Sequence, residues 1–337
     1  MFSSCSRRSL LKSSVWATAA LLATVGCSKS APSNPESAAQ GSGQTIKLGF
    51  NLWAGFMPWK VAQVKNFFAA NGVQVEVIWF PVLSDQLNAF NAGKIDIMGA
   101  TTSDFITAVS NGVKAKVISI TDVSLGADAI VAKPSIQSIQ DLVGKQASVE
   151  LGTVGHLLFL KALEKGNVPL AKVKLVNQTA DTAIASLIAG KTDVVYSYEP
   201  FVSQAVASGK GKVLFSSKDV PGIVPDLMVV RQEVLERQAD DVQKILKVWY
   251  ETLEYRKTNL EEVLPIEAKQ AGVSVADYQT LLKGFKWLTP LEAQTAFKPG
   301  STTESLPYAA QETIKFMLAQ KLITKEPPAI TRACFKT

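Results

Sequence analysis

Residues 46–80, IKLGFNLWAGFMPWKVAQVKNFFAANGVQVEVIWF, contain the strand, loop, helix and strand that decide the fold. Ile46–Phe50 is a short β-rich run. Pro58 precedes a helix predicted over 59–70, because proline is favoured in the first turn of a helix. Asn71-Gly72 ends that helix. In 73–80 apolar and polar residues mostly alternate, which indicates a strand with one buried face.

The same alternation of strands and helices continues along the chain and predicts an α/β protein with mostly parallel sheets. Lys133-Pro134 interrupts the pattern, and so do residues 221–225, which contain two prolines and a glycine. Beyond Arg231 the pattern is mostly helical. Further strands are predicted at 95–99, 116–121, 127–132, 146–150, 173–177, 194–197, 213–215 and 226–230, and helices at 83–92, 103–111 and 240–257 and from Val154, Thr182 and Pro200.

The two interruptions predict two lobes joined by two hinge crossings. We predict that residues 46–132 together with 226–337 form lobe 1 and that residues 133–225 form lobe 2. Ligands of open α/β sheets bind outside the carboxyl ends of the strands, and lobed binding proteins close over them. The loops that follow the strands are therefore the places to look for a binding site.

The N-terminus has the features of a bacterial export signal. Arg7, Arg8 and Lys12 precede an apolar run at 15–25, which is too short to span a bilayer. The paired arginines resemble a twin-arginine signal, and residues 23–27 resemble a lipobox ending at Cys27. We predict a signal peptide at 1–26 and a flexible tether at 27–45 after a lipidated Cys27. The alternative is that Cys27 is an ordinary residue in a peptide cleaved elsewhere.

Composition narrows the class of function. Removal of residues 1–26 lowers the formal net charge from +6 to +3, and no block of basic residues indicates a nucleic-acid partner. His156 is the only histidine, which excludes a multi-histidine metal site. The sequence has no CxxC, phosphate-loop or GxSxG motif. We therefore expect no metal, no cofactor and no enzymatic activity.

The candidate ligand-binding residues lie in the loops after strands. Hydroxyl groups and free backbone N–H groups at a helix start bind anions without lysine or arginine. One such helix start in each lobe predicts a clamp for a sulfonate or carboxylate, although hydroxyl residues also simply cap helices. Aromatic residues in the same loops can stack on a ligand or belong to the core. The candidates of these kinds are Trp53, Phe56, Met57, Thr101, Thr102, Ser103, Thr153, His156 and Tyr198.

Two acidic residues are candidates for an amine on the ligand. Asp128 precedes an apolar strand and is either a ligand partner or a loop carboxylate. Glu199 follows another strand, but an acidic residue at a helix start is also favoured by the helix dipole alone. Both alternatives stay open for each residue.

Several segments together resemble the periplasmic substrate-binding proteins of ABC importers for nitrate, sulfonates, taurine and thiamine pyrimidine precursors. The resemblance covers about residues 46–322. It implies a type II periplasmic binding protein fold with mixed sheets, two lobes and an interlobe cleft. The segments that carry it are 56–58, 89–97, 139–145, 152–156, 185–193 and Glu199-Pro200.

The resemblance also implies the function. We expect a periplasmic, lipid-anchored and monomeric receptor that delivers a small organic anion or zwitterion, such as taurine or another sulfonate, to an ABC permease in the inner membrane. The alternatives are a binder of nitrate or a thiamine pyrimidine precursor, an enzyme of the pyrimidine-synthase type on the same fold, and a sensory module.

Overall fold

The strands form two separate sheets in the computed structural model, which describes residues 44–327. The six strands of the first sheet, in spatial order, are β11 (Phe285–Trp287), β4 (Ala115–Ser124), β10 (Pro225–Arg231), β3 (Ile97–Thr101), β1 (Ile46–Phe50) and β2 (Val75–Trp79). The five strands of the second sheet are β7 (Lys174–Asn177), β6 (Gln146–Val149), β8 (Val194–Tyr198), β5 (Asp128–Ala132) and β9 (Lys212–Ser216).

Both sheets are mixed. In the first sheet β1 pairs in parallel with β2 and β3, whereas β10 runs antiparallel to β3 and β4. In the second sheet β6 is parallel to β7 and β8, and β5 is antiparallel to β8 and β9. Helices flank both sheets, and the predicted α/β fold with mixed sheets is confirmed. The mostly parallel sheets predicted from the alternation of strands and helices are not found, because β5, β10 and β11 pair antiparallel with their neighbours.

Helices alternate with strands in the described residues as the sequence predicts, with one exception. The helix predicted over 59–70 is two helices, because Asn66 adopts a left-handed conformation with φ 57° between them, which asparagine tolerates better than most residues. The helices are α1 (Pro58–Val64), α2 (Phe67–Ala70), α3 (Leu83–Asn91), α4 (Thr102–Ser110), α5 (Val154–Lys165), α6 (Ala180–Ile188), α7 (Phe201–Ala207), α8 (Gln232–Arg237), α9 (Ala239–Thr258), α10 (Leu260–Ala271), α11 (Val275–Leu281), α12 (Pro290–Ala296) and α13 (Leu306–Ala319).

The chain crosses between the sheets at 125–127 and returns at 217–224. The two crossings lie side by side, since Ser124 Oγ and Ser217 Oγ are 2.8 Å apart and the backbone N–H of Gly126 donates to Ser217 Oγ at 2.7 Å. Hydrogen bonds between the crossings fix where the two sheets meet.

One strand lies in a different sheet from the one expected. Residues 127–132 were expected to complete lobe 1, yet β5 pairs with β8 and β9 of the second sheet. The apolar run is buried whichever sheet it joins, so its pattern does not distinguish them. Lys133-Pro134 marks the end of β5 and not a crossing. The strand β10 that follows the second interruption lies in the first sheet.

The signal peptide, the tether and Cys27 lie outside the described residues. Within residues 44–327, no helix has both the length and the apolar character needed to cross a membrane.

Candidate functional site

A small cavity lies between the two sheets, at the carboxyl ends of several strands. Its volume is about 20 Å³, which is room for about one water molecule. The residues that line it are Asn51, Trp53, Phe56, Leu83, Ala100, Thr101, Asp104, Val224 and Asp226 from the side of the first sheet, and Asp128, Val154, Tyr196 and Tyr198 from the side of the second.

A larger hollow of about 600 Å³ lies elsewhere, beside β2 and α2. Among residues 44–327, Asp241 is the only charged residue that lines it, and strands of the second sheet do not contribute to it. The cavity between the two sheets, which we call the interlobe cavity, is lined by residues from the sides of both sheets, and these include aromatic rings and several titratable groups. It is therefore the candidate site.

Aromatic rings form much of the cavity wall. The ring of Trp53 lies 6.2 Å from that of Tyr198, which joins the two sheets across the cavity, and 5.2 Å from that of Phe285. Its indole N–H donates to Asp122 Oδ1 at 3.0 Å, and its backbone N–H donates to Asn51 Oδ1 at 2.8 Å. Trp53 is thus held in a single orientation.

Two glycines make space for the other rings. A Cβ atom on Gly99 would lie 2.4 Å from the ring of Phe56, and one on Gly155 would lie 2.1 Å from the ring of Tyr196. The absence of a side chain at these positions lets β3 and α5 approach the rings closely.

Three buried aspartates line the cavity, namely Asp104, Asp128 and Asp226. Asp104 Oδ2 accepts hydrogen bonds from the backbone N–H and the hydroxyl of Thr101, at 3.0 and 2.7 Å. Its Oδ1 atom is buried and has no hydrogen-bond partner within the described part of the chain. Asp128 Oδ1 accepts a hydrogen bond of 2.6 Å from the Tyr196 hydroxyl.

Burial raises the pKa of each of these carboxyl groups, because a low-dielectric environment disfavours the charged form. The pKa of Asp104 rises to about 6, although the Thr101 hydrogen bonds lower it. The pKa of Asp128 also rises, against the opposing hydrogen bond from Tyr196. That of Asp226 rises well above its ordinary value because of burial and of neighbouring Asp122.

The cavity is acidic and has no opposing positive charge. Among residues 44–327, its lining includes no lysine, arginine or histidine. The same residues contain no group of three or more histidine, cysteine, aspartate or glutamate side chains placed to hold a metal ion. Buried carboxylates are stabilised by a cation, so the arrangement suits a ligand with a positively charged group and an apolar surface for the rings.

A family model described as the NMT1-like family matches residues 39–263, about two thirds of the chain. The chain belongs to the NMT1-like family. The resemblance to ABC-importer binding proteins is thereby confirmed.

The NMT1-like protein is similar to several binding proteins. It is 28% identical over 266 residues to the taurine-binding periplasmic protein of Escherichia coli, covering 75% of this chain and 82% of the relative. It is 22% identical over 289 residues to a putative aliphatic sulfonates-binding protein of Bacillus subtilis, covering 84% of each. The structure of the alkanesulfonate-binding protein SsuA of Xanthomonas axonopodis pv. citri bound to MOPS superposes with a TM-score of 0.73, at 18% identity, over 86% of this chain and 98% of SsuA.

The cavity brings together some of the predicted site residues of this NMT1-like protein. The predicted residues that line it are Trp53, Phe56, Thr101, Asp128 and Tyr198. The other predicted residues do not line it. Met57 is buried at the start of α1, and Thr102 and Ser103 are buried in the first turn of α4.

Three further predicted residues make local contacts. Thr153 caps α5, since its hydroxyl donates to the Glu150 carbonyl at 2.8 Å and accepts from the Gly155 N–H at 3.2 Å. His156 Nδ1 accepts from the Gly152 N–H at 3.4 Å, and burial lowers the pKa of His156. The Glu199 carboxylate accepts hydrogen bonds from the N–H and hydroxyl of Ser203, at 3.0 and 2.9 Å.

The cavity also contains polar residues that were not predicted. These are Asn51, Asp104, Tyr196 and Asp226. Asn51 directly follows β1, Tyr196 lies in β8, Asp226 lies near the start of β10, and Asp104 lies in the first turn of α4, which directly follows β3. Position near the end of a strand is therefore the signal by which such residues can be found.

Proposed function

We propose that this protein is the periplasmic solute-binding receptor of an ABC importer and that its ligand is a small zwitterion with an amine, of which taurine is the leading candidate. The observation that carries the proposal is that three buried aspartates line an aromatic cavity to which no basic residue within 44–327 contributes. The E. coli relative named for taurine supports it.

The cavity offers different surroundings to the two ends of a zwitterion. The carboxyl groups of Asp104, Asp128 and Asp226 suit the ammonium group. Val154 brings the first turn of the 12-residue helix α5 to the cavity, and that turn contains no acidic residue. The partial positive charge at the N-terminus of α5 suits the sulfonate group of the ligand.

Binding requires movement of the two lobes. Taurine is larger than one water molecule, so we infer that the lobes separate to admit it and close over it. Closure is favourable when polar groups from both sheets are hydrogen-bonded to the ligand, because a buried polar group left without a partner costs about 1–3 kcal/mol.

The proposal extends to the cellular setting. Export by the twin-arginine route, acylation of Cys27 and monomeric action beside a membrane permease fit the N-terminal sequence and the periplasmic relative. We assign no catalytic activity, since the named relatives are binding proteins.

Isothermal titration of the purified protein with taurine and with ethanesulfonate tests the proposal. The two compounds differ by the amine alone. We expect taurine to bind at least about tenfold more tightly, since a charge-assisted hydrogen bond contributes about 1.5–3 kcal/mol. Binding of neither compound, at concentrations where a different class of metabolite binds, would refute the assignment.

Neutralising Asp128 weakens taurine binding. Asp128→Asn preserves the shape of the side chain but removes its charge, and we expect a loss of about 10- to 100-fold in taurine affinity. Glu199→Gln is the matched control, because its carboxylate bonds to Ser203 at the start of α7 and does not line the cavity. An equal loss of affinity in both variants would contradict the role assigned to Asp128.

A further inference from the structure

Two acidic residues lie side by side behind the cavity. Asp122 on β4 and Asp226 on β10 are directly opposite each other in the antiparallel register. Their exposed fractions are 0% and 4%, and the Thr121 hydroxyl contacts both residues, at 3.0 Å from Asp122 Oδ2 and 3.2 Å from the Asp226 carbonyl. Burial raises the pKa of both carboxyl groups, and hydrogen bonding between them lowers that of Asp122 and raises that of Asp226. A hydrogen bond between two carboxyl groups requires a proton on one of them.

Hydrogen-bond donors surround this Asp122–Asp226 pair, whereas no lysine, arginine or histidine of the described residues lines the cavity. Asp122 accepts from Trp53 Nε1 at 3.0 Å and from Thr121 Oγ1 at 3.0 Å. The negative charge of Asp128 on β5 acts on both members of the pair, and that of Asp104 on α4 acts on Asp226.

The other titratable groups on this side do not neutralise the pair. The buried Tyr278 hydroxyl on α11 donates to the Ala54 carbonyl at 3.1 Å, and Arg256 on α9 is paired with Glu267. Without a cation to neutralise them, two adjacent buried carboxyl groups cannot both be charged. They share one proton, as carboxylate dyads do.

The energetics of ionisation agree with the geometry. Burial raises the pKa of Asp122 to about 7, against the hydrogen bonds from Trp53 and Thr121. Burial and the Asp122 charge raise the pKa of Asp226 further. The pair therefore retains a proton at neutral pH. The pKa values at which the pair titrates describe the two coupled groups together and not either carboxyl group alone.

Resting on the proposed function, we propose that binding of a cationic ligand in this cavity releases the proton shared by Asp122 and Asp226. The O–H bond of the carboxyl group breaks, and the proton passes to a buffer base. An N–H···O hydrogen bond forms between the ligand ammonium and Asp226, which lines the cavity. The ligand cation takes the place of the proton as the counter-charge.

The consequence is a pH-dependent affinity with a defined sign. Because the bound state holds fewer protons than the free state, affinity rises with pH while the free pair is protonated. A single released proton gives a change of about tenfold per pH unit. Asp104 and Asp128 also titrate, so the slope alone does not identify the pair.

Calorimetric titration with taurine, in buffers of different ionisation enthalpy at about pH 6 and about pH 8, counts the protons released. At about pH 6 we expect the pair to release about one proton for each taurine molecule bound. Asp122→Asn retains an acceptor for Trp53 and supplies an amide donor to Asp226, so its release should be lower by about one proton. Equal proton release in the variant and the wild type would overturn the inference.

An infrared difference spectrum of the wild type gives a second readout that does not depend on a variant. We expect taurine to remove a band of a protonated carboxyl group, and an unchanged band would also overturn the inference. The two failures are distinguishable: taurine binding without proton release contradicts the inference alone, whereas no binding of taurine at either pH contradicts the proposed function and the inference with it.

Discussion

We expect Gly155→Ala to lower the affinity for taurine by about 100-fold. A Cβ atom at this position would lie 2.1 Å from the ring of Tyr196. The ring must move, and its hydroxyl then leaves Asp128, to which it donates at 2.6 Å. The loss of that charge-assisted hydrogen bond and the displacement of the cavity wall both weaken taurine binding. Calorimetric titration of the variant with taurine measures the loss.

Gly144→Ala is the control for Gly155→Ala. Gly144 has φ 77° and no atom within 4 Å of an added Cβ. The control therefore carries backbone strain, of about 1 kcal/mol, without a clash. We expect unchanged taurine affinity in the control. Normal affinity in a folded Gly155→Ala variant would show that the position of Tyr196 is not required.

We expect Arg256→Met to lower the free energy of unfolding by about 3–5 kcal/mol, which is the usual cost of leaving one partner of a buried ion pair alone. Arg256 Nε donates to both carboxylate oxygens of the fully buried Glu267, at 2.9 and 3.0 Å. The guanidinium group also lies 4.5 Å from the ring centre of Trp287, whose indole N–H donates to the Gly55 carbonyl. The substitution therefore also loosens the loop beside the cavity.

Urea denaturation at two pH values measures this effect and its sign. Burial raises the pKa of Glu267 from 4.5 to about 7 even with Arg256 present, so the folded state binds a proton that the unfolded chain has released. Stability then falls as the pH rises through this range. We expect a larger loss for Arg256→Met at about pH 8 than at about pH 5.

Two further variants make the test specific. Lys257→Met removes an exposed ion pair with Glu254 on the same helix and should change stability by less than about 1 kcal/mol. The double variant Arg256→Met with Glu267→Met should recover much of the stability, since neither charge remains buried. A loss in the double variant as large as in the single one would attribute the effect to the packing of Arg256 on Trp287.

The sequence predicts the local elements well because their signals are local. β1 has the bounds expected from its apolar run, and α9 (Ala239–Thr258) follows the apolar stripe predicted over 240–257. The break at Asn66 and the sheet that β5 joins are not predicted. The left-handed backbone of Asn66 interrupts a helix, and the apolar pattern does not show it. β5 is buried along its whole length, so its pattern does not show which sheet it joins.

The site is predicted in part for a similar reason. Position after a strand identifies Trp53 and Thr101, and position before an apolar strand identifies Asp128. All three line the cavity. Asp226 is different, because its importance comes from pairing with β4, which brings it opposite Asp122 over a long distance in sequence. Only the tertiary structure shows that these two carboxyl groups are adjacent.

The central claim is that an amine-bearing solute binds between the two sheets among buried aspartates. A crystal structure of the protein grown with saturating taurine tests this claim most directly. We predict taurine in the interlobe cavity, with its nitrogen within hydrogen-bond distance of Asp104, Asp128 or Asp226. Taurine with its sulfonate against these aspartates, or bound at any other place, would contradict the account.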